Sequence, residues 1–205
     1  APAAGGTSVD LSAEASRPAA NDLARATVFA EASGAAPGEL AKRVNGLVAD
    51  ALKTARNYGS IRTQSANTST YPIYGKGNKI EGWRMRSDLA LESADTAALS
   101  ELLGKLQSSL GIASVAMLPA PETRRKTEND AMVDALAAFK ARAKVIADAM
   151  GKTYRIKHLA INSSGRLPPI MRSAALAAAD AAPMPIEAGE TLVTVAVSGQ
   201  IELSE

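Results

Sequence analysis

The sequence predicts an α+β fold of two layers, in which two long helices and one shorter helix cover an antiparallel or mixed sheet. Residues 37–65 and residues 122–159 share one pattern. In each, a long amphipathic helix runs to a glycine and a strand follows at once. Other segments alternate apolar and polar residues, which is typical of half-buried strands. The joints between helix and strand are one or two residues long, so we expect the helices to lie back over the sheet.

The N-terminal part predicts a hairpin. Residues 9–15 alternate, residues 17–22 contain the turn-forming Pro, Asn and Asp, and residues 23–32 form the return strand. The first long helix follows from Pro37, a residue favoured in a first helical turn. Its apolar face recurs at spacings of four and three and consists of Leu40, Val44, Leu47, Ala51, Ala55 and Tyr58. Gly59 is the expected left-handed cap.

The rest of the chain adds two helices and five strands. Residues 61–71 and 79–91 predict strands joined by a loop at 71–78, and Asp95 suits the N-cap of the shorter helix. The apolar stripe of that helix is Leu99, Leu102, Leu103, Leu106 and Leu110. The second long helix, from about residue 122 to 150, carries Met132, Leu136, Phe139, Ala143, Ile146 and Met150 and stops at Gly151. Residues 112–118, 154–162 and 191–203 are the remaining strands.

These elements give the order β-β-α-β-β-α-β-α-β-β within one domain. We expect residues 1–7 to be a flexible N-terminus and residues 8–205 to form the domain. Residues 167–171 are expected to pair as a short strand, and the Ala- and Pro-rich residues 174–189 are expected to be a mobile loop. Because strands flank the second long helix, packing against a sheet is favoured over a coiled coil.

Composition excludes several classes of function. The 23 basic and 21 acidic residues are interleaved and leave a net charge of +2, which argues against nucleic-acid binding. The absence of cysteine excludes thiol catalysis, disulfides and Cys-ligated zinc. There is no run of about 20 apolar residues, so the sequence predicts no membrane span. The small residues 1–6 resemble the start of a mature chain after removal of a signal peptide, or of a trimmed chain, and favour a periplasmic or secreted protein.

Candidate catalytic residues are few. His158 is the one histidine, and Ser163 or Ser164 could be a nucleophile for it. No nucleophile elbow surrounds these serines, so a histidine at a strand surface or an interface is the favoured interpretation. We predict no catalytic, cofactor-binding or metal-binding residue and no cofactor.

Two other segments have alternative interpretations. Residues 75–79 could hold an anion through backbone N–H groups, but a hairpin loop is favoured because no helix begins there. Trp83 and Tyr74 flank this loop, and with Tyr71 and Tyr154 they are the notable aromatic residues. They could form a ligand-stacking surface or an oligomer contact, although packing between sheet and helix is favoured.

Six ordered segments carry a resemblance to a known family. They are residues 9–32, residues 61–63 with 71–74, residues 80–87, residues 95–111, residues 137–151, and residues 185–190 before a Val-rich strand. In this order they resemble the SIMPL domain family, a domain of unknown function that includes bacterial periplasmic, outer-membrane-associated antigens. The resemblance implies a secreted or periplasmic protein without established enzyme activity; some members form large oligomers and some are linked to oxidative-stress tolerance.

Three hypotheses follow. The first is a non-enzymatic protein that acts as a homo-oligomer, with cell-envelope or stress-related partners. The second is a module that binds a small apolar or amphipathic ligand between the helices and the sheet. The third is a hydrolase that uses His158 with Ser163 or Ser164.

Overall fold

The computed structural model describes residues 5–165, 186 and 188–205 and contains the ten predicted elements in the predicted order. The helices are α1 (Pro37–Ala55), α2 (Thr96–Leu106) and α3 (Pro121–Ala149). The strands are β1 (Thr7–Ala20), β2 (Leu23–Gly34), β3 (Arg62–Tyr74), β4 (Ile80–Ser93), β5 (Gly111–Leu118), β6 (Thr153–Gly165) and β7 (Glu190–Ser204). The α+β class is confirmed. The strands lie in two antiparallel sheets, whereas the sequence predicted one antiparallel or mixed sheet.

The first compact unit contains a three-stranded sheet in the order β1-β7-β6, with α3 packed on one face. The apolar residues of the alternating strand β7 face the helix, so Val195, Val197, Ile201 and Leu203 are buried. Phe139 is the largest buried side chain of α3. The fully buried part of this core therefore consists of one aromatic ring, the alanines of α3 and Ala13 of β1, and the Val, Ile and Leu side chains of the central strand.

The buried face of α3 differs from the predicted stripe. Its buried residues are Ala131, Ala135, Phe139, Ala143 and Ala147. Met132, Leu136 and Ile146 flank this line and are only partly buried, whereas Met150 is exposed. Alanine along the centre of the contact lets the helix axis approach the strands closely, so the larger side chains spread to either side of the line of contact.

The second compact unit contains a four-stranded sheet in the order β3-β4-β2-β5, with α1 and α2 packed on it. The predicted stripe of five leucines is buried, four of them within α2 and Leu110 just after its end, and the predicted stripe of α1 is largely confirmed. On β4 the face that carries Met85, Leu89 and Leu91 is buried, as the alternation predicts.

The predicted N-terminal hairpin is wrong. β1 pairs along its whole length with β7, from Thr7 opposite Leu203 to Ala20 opposite Glu190. β2 lies between β4 and β5 in the other sheet. Within the second unit, the backbone N–H of Asn21 donates to the Gly189 carbonyl at 3.0 Å. Alternation identifies the face that a strand buries, but not the strand it pairs with.

The helix ends confirm two of three predicted caps. The Asp95 side chain accepts a hydrogen bond from the Ala98 N–H at 3.0 Å, as an N-cap does. Gly151 has the left-handed φ of 64° after α3. Gly59 is not left-handed, and α1 ends earlier, at Ala55. Tight turns, including the bond from the Tyr58 N–H to the Ala55 carbonyl, satisfy the last carbonyls there without such a residue.

The prediction of a single domain stays a prediction. The described chain forms two compact units, and each has a hydrophobic core of its own. The predicted short strand at 167–171 and nearly all of the loop at 174–189 lie outside the described residues. Of the predicted flexible N-terminus, Thr7 already belongs to β1.

Candidate functional site

His158 lies on the face of the three-stranded sheet opposite to α3. It is exposed on β6 and pairs in register with Gln200 of the central strand. The Gln200 amide donates to Asp10 Oδ1 at 3.1 Å, so side chains of β1 and β7 are joined across this face. An open depression of about 530 Å³ is lined by Asp10, Leu11, Ser12, His158, Ser198, Gly199 and Gln200. The location agrees with the favoured interpretation of a strand-surface histidine.

A bulge in β6 sets the position of His158. The register of β6 against β7 shifts between Ile156 and His158. Across the strand gap, a Cβ added to Gly199 would lie 2.2 Å from the His158 carbonyl oxygen. Only a glycine leaves room for this close approach. The bulge therefore depends on a residue that is distant in the sequence.

The structure does not bring His158 and the candidate serines together. Ser163 pairs with Val195 and Ser164 with Thr194, farther along the same strand. Five residues of extended strand span about 16 Å, whereas a base and its nucleophile need hydrogen-bond distance. The hydrolase arrangement is therefore not assembled by these residues.

Metal-binding and membrane-spanning features are absent from the part of the chain that the structure describes. There, no group of three or more His, Asp or Glu side chains is placed to hold a metal ion. None of the helices described combines the length and the apolar run that a membrane crossing requires.

A groove that no sequence pattern indicated lies between α3 and the edge of β1 that pairs with no other described strand. Its volume is about 500 Å³, and its lining is Leu11, Ser12, Ala141, Arg142, Val145 and Ile146. Arg142 Nη1 donates to the Ser12 backbone carbonyl at 2.6 Å. The only signal in the sequence is an arginine among the alanines of a long helix, which on its own indicates nothing more than a solvated helix face.

The end of the β3–β4 hairpin exposes large apolar side chains. Tyr74 is 61% exposed, Ile80 51% and Tyr71 40%. The Gly75 N–H donates to the Lys79 carbonyl at 2.8 Å and closes the connection, which confirms the hairpin-loop interpretation of residues 75–79. Trp83 is partly buried against the core of this unit, which agrees with the packing interpretation for that residue.

Ion pairs organise the outer faces of both sheets. On the four-stranded sheet, Arg25 pairs with Glu92 at 2.7 Å, and the Arg86 guanidinium lies 3.9 Å above the Phe29 ring. On the three-stranded sheet, the Arg155 hydrogen bonds lower the pKa of the Glu202 carboxyl. These arginines have partners within the chain, so they do not form a one-signed surface for nucleic acid.

Comparisons with known proteins give a family and little more. The family model described as "SIMPL: Protein of unknown function (DUF541)" matches residues 9–201. A comparison with curated proteins found no match. A solved structure of a "putative amidohydrolase/peptidase" from Burkholderia cenocepacia is 15% identical, covers 60% of this chain and has a TM-score of 0.27. The aligned part spans 33% of that protein's chain. A likeness with so low a TM-score carries no argument about the fold or the activity of the present chain.

Proposed function

Because this chain belongs to the SIMPL family of proteins of unknown function, we propose that it is a non-enzymatic protein that acts through self-assembly. We place it in the periplasm or outside the cell, in envelope maintenance or oxidative-stress tolerance. The resemblance to periplasmic family members supports this location. The separation of His158 from Ser163 and Ser164 supports a function without hydrolysis.

The observation that carries self-assembly is the exposed end of the β3–β4 hairpin. Among the strands that the structure describes, β3 lies at the edge of the four-stranded sheet, and all of its residues are at least partly exposed. An unpaired strand edge presents a row of N–H and C=O groups that a second strand can use. Tyr71, Tyr74 and Ile80 add apolar area at the end of that edge. Tyrosine and other large apolar residues are favoured in the centres of protein interfaces.

The partner that fits this surface best is a second copy of the chain. The edge strand is rich in Ser and Thr, so it offers backbone pairing with little charge that would select a different protein. Edge-to-edge pairing of identical strands would bring the exposed Tyr74 and Ile80 of each copy toward an interface.

Light scattering after size exclusion, over a range of protein concentrations, tests this proposal. We expect a mass above that of one chain, 21.1 kDa, for the unmodified protein. The double variant Tyr74→Ser, Ile80→Ser should shift the mass toward one chain. The matched control is Val133→Ser, which removes a valine that is 67% exposed on α3 in the other unit. A chain that is a monomer at every concentration would contradict self-assembly.

The cellular part of the proposal needs a separate experiment. Cell fractionation should recover the protein with periplasmic or secreted markers. A deletion strain should lose tolerance to peroxide, and the Tyr74→Ser, Ile80→Ser variant should fail to restore it. Full restoration by this variant would separate stress tolerance from assembly.

A second candidate function is the binding of a small amphipathic molecule. The groove between β1 and α3 favours it, because apolar side chains and one arginine line the same space.

A further inference from the structure

We propose that the groove between β1 and α3 binds a single-chain amphiphile with an anionic head, of the fatty-acid class. The carboxylate would lie at Arg142, and the alkyl chain would cover Leu11, Val145 and Ile146. This inference goes beyond self-assembly and does not depend on it, since the groove and the hairpin end share no residue.

The apolar side of the groove is available to a ligand. Val145 is 69% exposed although it is β-branched and apolar, and Ala141 lies one turn before it on the same face of α3. Ile146 and Leu11 are partly buried and form the floor beside the core. A volume of about 500 Å³ lies within the usual range for small-molecule sites, about 300–1,000 Å³. An alkyl chain laid here would remove exposed apolar surface from water.

Arg142 supplies the charge that selects an anion. Its guanidinium donates to the Ser12 carbonyl, which uses one of five N–H groups. Among the described residues no carboxylate lies within ion-pair distance of Arg142. By contrast, two other cations of the same helix have carboxylate partners: Arg124 pairs with Glu128, and Lys144 pairs with Asp148. The remaining N–H groups of Arg142 can bind a carboxylate in the two-bond geometry that guanidinium favours.

The same contact disfavours an extended peptide in the groove. A peptide that added to the free edge of β1 would need the Ser12 carbonyl as an acceptor. Arg142 already donates to that oxygen at 2.6 Å, so its guanidinium stands where a pairing strand would approach. The geometry therefore favours a ligand that uses the guanidinium over one that must displace it.

Calorimetric titration with dodecanoate below its micelle concentration tests the proposal on the full chain. We expect saturable binding of dodecanoate and at least tenfold weaker binding of dodecanol, which has the same chain without the charge. Arg142→Gln should weaken dodecanoate binding at least tenfold but leave the weak dodecanol binding unchanged. Val145→Ser should weaken both, because it reduces the apolar contact and keeps the arginine.

Two matched controls separate the groove from general surface effects. Arg125→Gln removes an exposed arginine of the same helix, and Val133→Ser removes an equally exposed valine. Both should bind dodecanoate as the unmodified chain does, and thermal melts should show that all four variants fold. Equal binding of dodecanol and dodecanoate, no loss in Arg142→Gln, or displacement of dodecanoate by an uncharged extended peptide would overturn the proposal. The light-scattering mass should be the same in Arg142→Gln, so failure here and failure of self-assembly are distinguishable.

Discussion

At the scale of single residues, Gly199 shows how a contact between strands depends on a missing side chain. The His158 carbonyl oxygen lies too close to Gly199 to leave room for a Cβ on residue 199. Since this is backbone against backbone, no side-chain rotation can relieve the overlap. The two strands would have to separate locally and give up pairing at the bulge.

We therefore expect Gly199→Ala to lower the melting temperature and to broaden or shift the NMR signals of residues 156–159. The reason is the backbone displacement that the added methyl group requires. The control is Gly46→Ala, at an exposed position inside α1 where a Cβ would meet nothing within 4 Å. That substitution should stabilise the protein by about 0.5–1 kcal/mol, because alanine is the better helix former. A Gly199→Ala protein as stable as the unmodified chain would show that the bulge is loosely held.

At the scale of elements, an ion pair joins β1 to α3. Arg17 Nε lies 2.6 Å from Asp134 Oδ2, and its second contact is at 3.1 Å. These hydrogen bonds lower the pKa of the Asp134 carboxyl below its usual value of 3.8. A carboxyl whose pKa is lowered by folding contributes stability above its unfolded pKa, and that contribution disappears as the pH falls through the folded pKa. Both side chains are partly exposed, so the contribution is small and salt-sensitive.

The expected result is that Arg17→Gln lowers the melting temperature slightly at pH 7. The deficit should shrink as the pH falls below about 4, the pKa of an aspartate in the unfolded chain, and should vanish once the pH is below the lowered pKa of Asp134 in the folded chain. Thermal melts from pH 7 to pH 2, at low and high salt, measure the difference between the two proteins. Lys42→Gln is the matched control, because Lys42 lies 3.7 Å from Glu39 with both side chains largely exposed. A deficit for Arg17→Gln that is constant down to pH 2 would rule out the carboxylate as its cause.

Elements also show what the sequence can and cannot predict. The stripe of α2 and the cap at Asp95 are local patterns, and both are confirmed. The partner of β1 was predicted wrongly because β7 lies about 180 residues away and alternation carries no information about pairing. On α3 the predicted stripe differs from the buried face, because alanine is only weakly apolar and was passed over in favour of larger residues. Its small side chain nevertheless permits the closest contact between helix and sheet.

The candidate site was less accessible to sequence reasoning than the fold. The surface placement of His158 could be predicted, since no nucleophile elbow surrounds Ser163 or Ser164 and a strand-surface histidine was the favoured interpretation. The groove could not, because it combines Ser12 and Arg142 from segments 130 residues apart.

At the scale of the whole molecule, two separate hydrophobic cores predict two separable responses to mutation. Phe139 belongs to the core under the three-stranded sheet, and Leu102 to the core under the four-stranded sheet. Both are fully buried, so truncation to alanine should cost about 3–5 kcal/mol for Phe139 and about 2–5 kcal/mol for Leu102.

Hydrogen exchange measured by mass spectrometry distinguishes the outcomes. Phe139→Ala should speed exchange in β1, β6, β7 and α3, and Leu102→Ala should speed it in β2, β4 and α1. Each variant serves as the control for the other. Faster exchange through all ten elements in both variants would show one cooperative domain, as the sequence analysis predicted.

The central position of β7 in its sheet has a consequence for biosynthesis. All strands and helices that the structure describes in the four-stranded unit lie between residues 23 and 118, so they can pair while later residues are still being added. β1 is made before them and β6 after them, and both must wait for β7, which is translated last of the three and lies between them. A ribosome that stopped after residue 189 would release a chain with two long unpaired strands, which is the kind of species that chaperones hold and proteases remove.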